Sequence, residues 1–180
     1  MASSESKNRL IEYLVETWKE TENRETLGEI SLVVNSGENC YLITRERVTE
    51  IVELRSTQVE ADTRMMLHVR HAISKYSKLV VVSEDTDVFV ILLGLNSEIG
   101  GAKETRIFLR RGKKNKVRLI DISRFATILG LDLCKALMGV HAFSGCDSVS
   151  AIAGQGKVKA VKLVQSNKQF METFMALATE

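Results

Sequence analysis

The sequence predicts an α/β protein with a central, mostly parallel sheet, helices on both faces and a C-terminal helix-hairpin-helix. Three observations lead there. Residues 79–83 are almost wholly apolar and β-branched, the composition of a strand buried on both faces. Amphipathic helical patterns precede and follow that run, with further strand-like stretches at 105–109 and 117–122. Near the C-terminal end, Gly154-Gln155-Gly156 separates two short helical patterns, the second opening on Lys157 and Lys159.

Composition sets the outer limits. A chain of 180 residues suits one domain with room for a small appendage, and 44% hydrophobic with 27% charged residues is ordinary for a soluble globular protein. No apolar run reaches the length of a membrane span, and the opening MASSESKNR has no signal-peptide core. The expectation is an intracellular protein, nuclear or cytoplasmic, with no membrane partner. Cys40, Cys134 and Cys146 are odd in number, widely spaced and without a CxxC, which argues for reduced thiols and against a disulfide framework or a thiolate zinc site. A net charge of +2 means that any nucleic-acid surface must be a local patch.

Along the chain, Leu10, Ile11, Leu14, Val15 and Trp18 mark an amphipathic helix over 8–22, with Trp18 expected in the core. Residues 29–34 and 40–44 flank the turn signal Asn35-Ser36-Gly37-Glu38 and predict a β-hairpin. Residues 45–54 read equally as a short helix or an extended edge. A helix is expected from Ser56 or Thr57, either of which can cap it, to about residue 75. The buried strand at 79–83 leads to a helix over 88–96, and Gly100-Gly101 breaks the pattern. Two strands then enclose a turn, with six cations between Arg110 and Arg118: Arg110, Arg111, Lys113, Lys114, Lys116 and Arg118. Such a turn is suited to tracking a phosphate backbone, and equally to being a solvated tip or a nuclear-import signal. Helices over 123–129, 131–142, 157–165 and 169–177 complete the reading.

The chemistry lies in the acidic segments. Glu84-Asp85-Thr86-Asp87 ends the apolar run, and at the carboxyl end of a parallel sheet strand that is a ligand position. If the chain stays extended there, Asp85 and Asp87 leave the same face and can grip one hard cation such as Mg²⁺. The alternative is a strand-to-helix loop whose carboxylates favour a helix N-terminus. Glu60 and Asp62 fall near the start of the preceding helix, where the same two explanations apply. Asp147 follows Gly145-Cys146 in an expected turn. His68, His71 and His141 lack a zinc-site spacing and read as hydrogen-bonded or surface histidines.

Taken in order, these pieces resemble the nuclease core of the flap endonuclease/XPG branch of PIN-like nucleases. The matching segments are Glu60-Ala61-Asp62, Ser83-Glu84-Asp85-Thr86-Asp87, and Gly145-Cys146-Asp147 leading into the Gly154-Gln155-Gly156 hairpin. The chain is also similar to PIN-like sequences of invertebrate and fish genomes that carry the same HAFSGCD-type segment. The resemblance covers roughly residues 56–166. It divides the chain into an N-terminal helix and hairpin (1–55), counted with the same domain, a PIN-like core (56–142), and an acidic turn with helix-hairpin-helix and closing helix (143–180).

The resemblance implies a divalent-metal-dependent, structure-selective nuclease core acting on phosphodiesters, with DNA favoured over RNA. Glu60, Asp62, Asp85, Asp87 and Asp147 would be catalytic metal ligands for two Mg²⁺ or Mn²⁺ ions. Gly154, Gly156, Lys157 and Lys159, with Arg110, Arg111, Lys113 and Lys114, would hold nucleic acid. Family members also carry an aspartate on a first strand and basic catalytic residues after it. Residues 1–55 contain no aspartate, so the resemblance implies part of a longer enzyme or a copy that does not cut. Two other readings stand beside it. One is a non-catalytic PIN-like module that binds nucleic acid or protein. The other is a phosphatase, since Asp85-Thr86-Asp87-Val88 resembles the haloacid-dehalogenase nucleophile motif, although Phe89 departs from it.

Overall fold

The computed structural model describes residues 4–57, 60–99, 105–144 and 157–178. The chain is α/β and divides into two compact units, Met1–His68 and Val69–Glu180, the division falling within a single helix. In place of one mostly parallel central sheet, the described strands form two three-stranded sheets.

The first unit contains α1 (Ser4–Lys19), α2 (Thr21–Glu25), β1 (Leu32–Ser36), β2 (Asn39–Ile43), β3 (Val48–Glu50), a 3-10 turn at Val52–Leu54 and the first turns of α3 (Ala61–Ile73). β1 and β2 form the expected hairpin, with Ser36 opposite Asn39. Its two-residue loop starts at Gly37, whose φ of +58° is the left-handed conformation that such loops need and that a Cβ disfavours. The ambiguous stretch 45–54 is both of its alternatives in turn: β3 pairs with β2, and the 3-10 turn follows.

Val15, Cys40, Ile43 and Leu54 are sealed in this unit. Trp18 is not in the core as expected: it is 38% exposed, and Leu10 and Ile11 are exposed beside it. Within the unit α1 packs on β1 and α2, and buried Val15 with half-buried Leu14 fills that contact. The periodicity does encode a helix; the surface offered to it is narrower than its apolar stripe.

α3 starts at Ala61, later than the cap at Ser56 or Thr57 would place it. The Ser56 N–H donates to Glu38 O at 3.0 Å, so this backbone is committed to the hairpin instead of a helix. Arg64 fastens the start of α3 to the same loop, donating to Gly37 O at 2.8 Å and Ser56 O at 2.5 Å. Asn35 Nδ2 and His68 Nε2 lie 2.9 Å apart.

The second unit contains β4 (Lys78–Val82), α4 (Thr86–Ile99), β5 (Arg106–Arg111), a 3-10 turn at Lys114–Lys116, β6 (Arg118–Asp121), α5 (Ile122–Leu129), α6 (Leu131–Phe143), α7 (Lys157–Ser166) and α8 (Lys168–Leu177). The sheet is mixed: β4 runs parallel to β5, with α4 between them in the chain, and β6 is antiparallel to β5. β4 is buried on one face only, since Val81 is buried while Val80 is 48% and Val82 60% exposed. β-branched residues suit any pleated surface, so an unbroken run of them reports strand propensity without reporting two-sided burial.

The helical end holds one buried cluster of the unit, beside the buried residues of β5, α4 and α5. Leu133, Ala136 and Val140 on α6 pack with Val164 on α7 and Phe174 on α8. Each large side chain buried there contributes roughly 1.5–3 kcal/mol. A Cβ on Gly139 would sit 2.2 Å from the Phe174 carbonyl oxygen, so α6 and α8 approach at backbone distance. Asp121 caps α5 by accepting the Arg124 N–H at 3.0 Å, and Asn167 caps α8 by accepting that of Gln169 at 2.9 Å. Among the described residues no single helix is long and apolar enough to cross a membrane.

Candidate functional site

The acidic corner is built by the way β4 hands over to α4. The Ser83 N–H still pairs with Arg110 O, at 3.2 Å, continuing the sheet one residue past β4. Ser83 Oγ then accepts the Asp85 N–H at 3.0 Å, and Asp85 Oδ1 accepts the Asp87 N–H at 2.9 Å. Those two bonds turn the chain and place Asp85 at the N-cap of α4, with Asp87 in its first turn. The helix therefore starts two residues before residue 88. Asp85 and Asp87 share a corner through capping geometry, not through the alternation of an extended strand.

Both side chains are half-buried. The positive end of the α4 macrodipole welcomes carboxylates, which accounts for their presence at the surface. Half burial adds a desolvation cost that the dipole alone does not remove. Asp87 has a second partner: its Oδ1 lies 2.7 Å from His141 Nε2, and His141 Nδ1 lies 3.0 Å from Lys157 Nζ.

Asp62 occupies the second position of α3 in the first unit and is half-buried; within the second unit Asp85 and Asp87 are two half-buried carboxylates that could contribute to holding a metal ion. Glu60, one residue ahead of α3, is exposed. Asp147, Gly154 and Gly156 lie outside the described residues. The donors of Asp85 and Asp87 fit a hard cation such as Mg²⁺ or Mn²⁺: carboxylate oxygens and no thiolate. Cys40 and Cys134 are sealed, with burial pushing both thiols above their usual range, so neither is a ready soft ligand.

The basic turn is tied directly to this corner. Glu84 Oε1 accepts the Gly112 N–H at 2.7 Å, and Arg111 Nη2 donates to Glu84 O at 2.8 Å. Gly112 has φ +96° and Lys114 φ +51°, a tight loop that keeps Lys113, Lys114 and Lys116 exposed. Arg110 and Arg118 are exposed beside them, whereas Arg111 is half-buried by its bond to the Glu84 backbone. Lys157 and Lys159 are exposed in the first turn of α7.

The histidines have separate partners: His68 with Asn35, His71 with Lys75 at 2.7 Å, and His141 with Asp87. Sequence reading passes over Glu84 as a connector and His141 as the Asp87 partner. Glu84 has no local signal, since 28 positions separate it from Gly112. His141 has none, since 54 positions separate it from Asp87. No protein-family model, curated protein or solved structure matches the chain.

Proposed function

We propose that the chain is a divalent-metal-dependent phosphodiesterase of the PIN-like, structure-selective nuclease kind, acting on nucleic acid and favouring DNA. The observation that carries this reading is the Glu84 tie. It sets half-buried Asp85 and Asp87 beside a turn of exposed lysines, so oxygen ligands for a cation and counter-charges for a phosphate backbone share one corner. Asp85 and Asp87 would hold Mg²⁺ or Mn²⁺, with Glu60, Asp62 and Asp147 as the further acidic residues that the resemblance implies for a two-ion site. Bound there, such ions neutralise the carboxylates and supply an activated water for in-line displacement at phosphorus. The chain's own residues orient the substrate: Arg110, Lys113 and Lys114 bind phosphates without reading bases, as do Lys157 and Lys159 on α7.

The cap formed by Asp85 favours a second reading, a non-catalytic nucleic-acid-binding module, because it gives that carboxylate a structural use without a cation. Mn²⁺ titration by calorimetry, with cleavage assays on labelled flap, hairpin and linear DNA and RNA, separates the two. The nuclease reading expects saturable Mn²⁺ heat and Mn²⁺-dependent cleavage, both lost in Asp87→Asn. Saturable binding of nucleic acid with neither signal replaces it by the binding module. Hydrolysis of aryl phosphates that needs Asp85 and ignores Asp147 replaces it by the phosphatase.

A further inference from the structure

We propose that His141 is a positioning residue that fixes Asp87 for a divalent cation, with Lys157 selecting the histidine tautomer. The inference deepens the cation reading above and rests on it. Three elements meet at the imidazole: Asp87 in the first turn of α4, His141 in the last turn of α6 and Lys157 as the first residue of α7. The imidazole is 11% exposed, the Asp87 side chain 25%.

The proton assignment follows from the donor inventory. An ammonium has three donors and no acceptor, so the 3.0 Å contact between Lys157 Nζ and His141 Nδ1 makes Nδ1 the acceptor. The ring proton then sits on Nε2, which donates to Asp87 Oδ1 at 2.7 Å. With Oδ1 held by the imidazole, the Asp87 carboxylate plane is fixed, and its second oxygen would be left to take a cation. Carboxylates and imidazoles around metal ions are oriented in this way by outer hydrogen bonds.

Two further observations agree. The elements that carry the pair are closely packed: a Cβ on Gly94 of α4 would lie 2.0 Å from Met138 Sδ of α6, so that side chain lies against the α4 backbone. Such close packing holds Asp87 and His141 at hydrogen-bond distance better than a loop would. Lys157 also stands at a helix N-terminus, where the macrodipole disfavours a cation. Helix formation therefore does not explain that lysine, while the Nδ1 lone pair does.

The test uses the full chain, Mn²⁺ alone as the probe, and ¹⁵N spectra of the imidazole without metal. His141→Ala is expected to weaken Mn²⁺ binding by about 10- to 100-fold, the usual cost of losing an outer-shell partner. His141→Gln, whose amide can replace the Nε2–H donor, is expected to restore most of that loss. The wild-type spectrum should show the proton on Nε2, and Lys157→Met should shift His141 towards the other tautomer. Wild-type Mn²⁺ affinity in a folded His141→Ala, or a wild-type proton on Nδ1, overturns the proposal. If His141→Ala does not fold, Lys157→Met at its exposed position decides, and an unchanged tautomer and unchanged affinity overturn it. Absence of Mn²⁺ binding in the wild type sinks the cation reading and this inference with it. Failure confined to the variants sinks this inference alone.

Discussion

Asp85 Oδ1 accepts the backbone N–H of Asp87 at 2.9 Å, so one carboxylate caps α4 while the next stands in its first turn. The two roles of Asp85 separate by substitution. Asn caps a helix about as well as Asp, so Asp85→Asn keeps the turn and removes the charge. Its melting temperature should stay close to wild type while Mn²⁺ affinity falls by more than the roughly 10- to 100-fold cost of an outer-shell loss. Asp85→Ala should lose the same affinity and also about 0.5–2 kcal/mol of stability. Calorimetry beside urea unfolding reads both. Undiminished Mn²⁺ affinity in Asp85→Asn would leave only the cap.

Glu84 offers a sign test on the basic turn. Removing its charge makes the neighbourhood more positive, so electrostatics alone predicts tighter nucleic-acid binding in Glu84→Ala. If the Gly112 and Arg111 bonds to Glu84 set the turn for phosphates, affinity falls instead. We expect the fall. Lys113→Ala with Lys114→Ala should weaken duplex binding for all sequences alike, and lower the log–log salt slope by about 0.9 for each phosphate no longer neutralised. Fluorescence anisotropy across a salt series checks both.

Local chemistry was legible in the sequence, and long-range pairing was not. The β4-to-α4 passage could be read in outline, because a β-branched run that stops at an acidic segment is a local signal of strand end, while the cap at Asp85 and the helix start at Thr86 emerged only from the structure. The hairpin at Gly37 belongs to the same class. Exposure of Val80, Val82 and Trp18 could not be read, because which face finds a partner is decided by packing and not by periodicity. The division of one expected sheet into two also depends on pairing, and strand composition does not encode partners. Within the site, Asp85 and Asp87 were visible as acidic residues near a chain turn. The bonds of Asp87 to His141 and of Glu84 to Gly112 join distant segments and left no local mark.

Asp121 carries a pH prediction. The Arg124 N–H that it accepts, and then the Arg106 guanidinium, hold its carboxyl below the usual range against the opposing effect of burial. A depressed carboxylate stabilises the fold above its unfolded value of about 3.9, and that contribution is lost as pH falls through the lower folded value. Asp121→Ala should cost about 0.5–2 kcal/mol at neutral pH from the lost cap. Asp121→Asn keeps the cap and should lose only the roughly 0–1 kcal/mol of a solvent-facing ion pair. Both variants should show a shallower loss of stability in acid than wild type, measured by urea unfolding from pH 7 down to about pH 3. Equal slopes would rule the Asp121 contribution out.

The sealed thiols make the opposite prediction at high pH. Burial raises Cys40 and Cys134, so the fold is favoured while they stay protonated. That contribution is complete below the unfolded thiol value near 8.5 and is lost as pH rises towards the folded values. In native conditions both should resist iodoacetamide, with peptide mapping showing Cys40 and Cys134 modified only after denaturant is added. Rapid labelling of Cys134 in the native chain would contradict the α5–α6 packing, in which its Sγ lies 3.7 Å from Ala126 O.

Gly139 tests the helical core by its smallest possible enlargement. An added Cβ meets the Phe174 carbonyl oxygen at 2.2 Å, and the obstacle is backbone, so no side-chain rotation relieves it. α8 must move, opening the cluster of Val140, Val164 and Phe174. Overpacking of this kind costs about 1–3 kcal/mol, more than the gain from placing Ala instead of Gly within a helix. For a chain of this size the melting temperature should fall by about 2–4 °C per kcal/mol. Because the clash is with main chain, trimming the ring in Phe174→Ala should not rescue Gly139→Ala; the double variant should be less stable than either single one. Rescue by Phe174→Ala would mean that the ring, not the backbone of α8, sets the approach of the two helices.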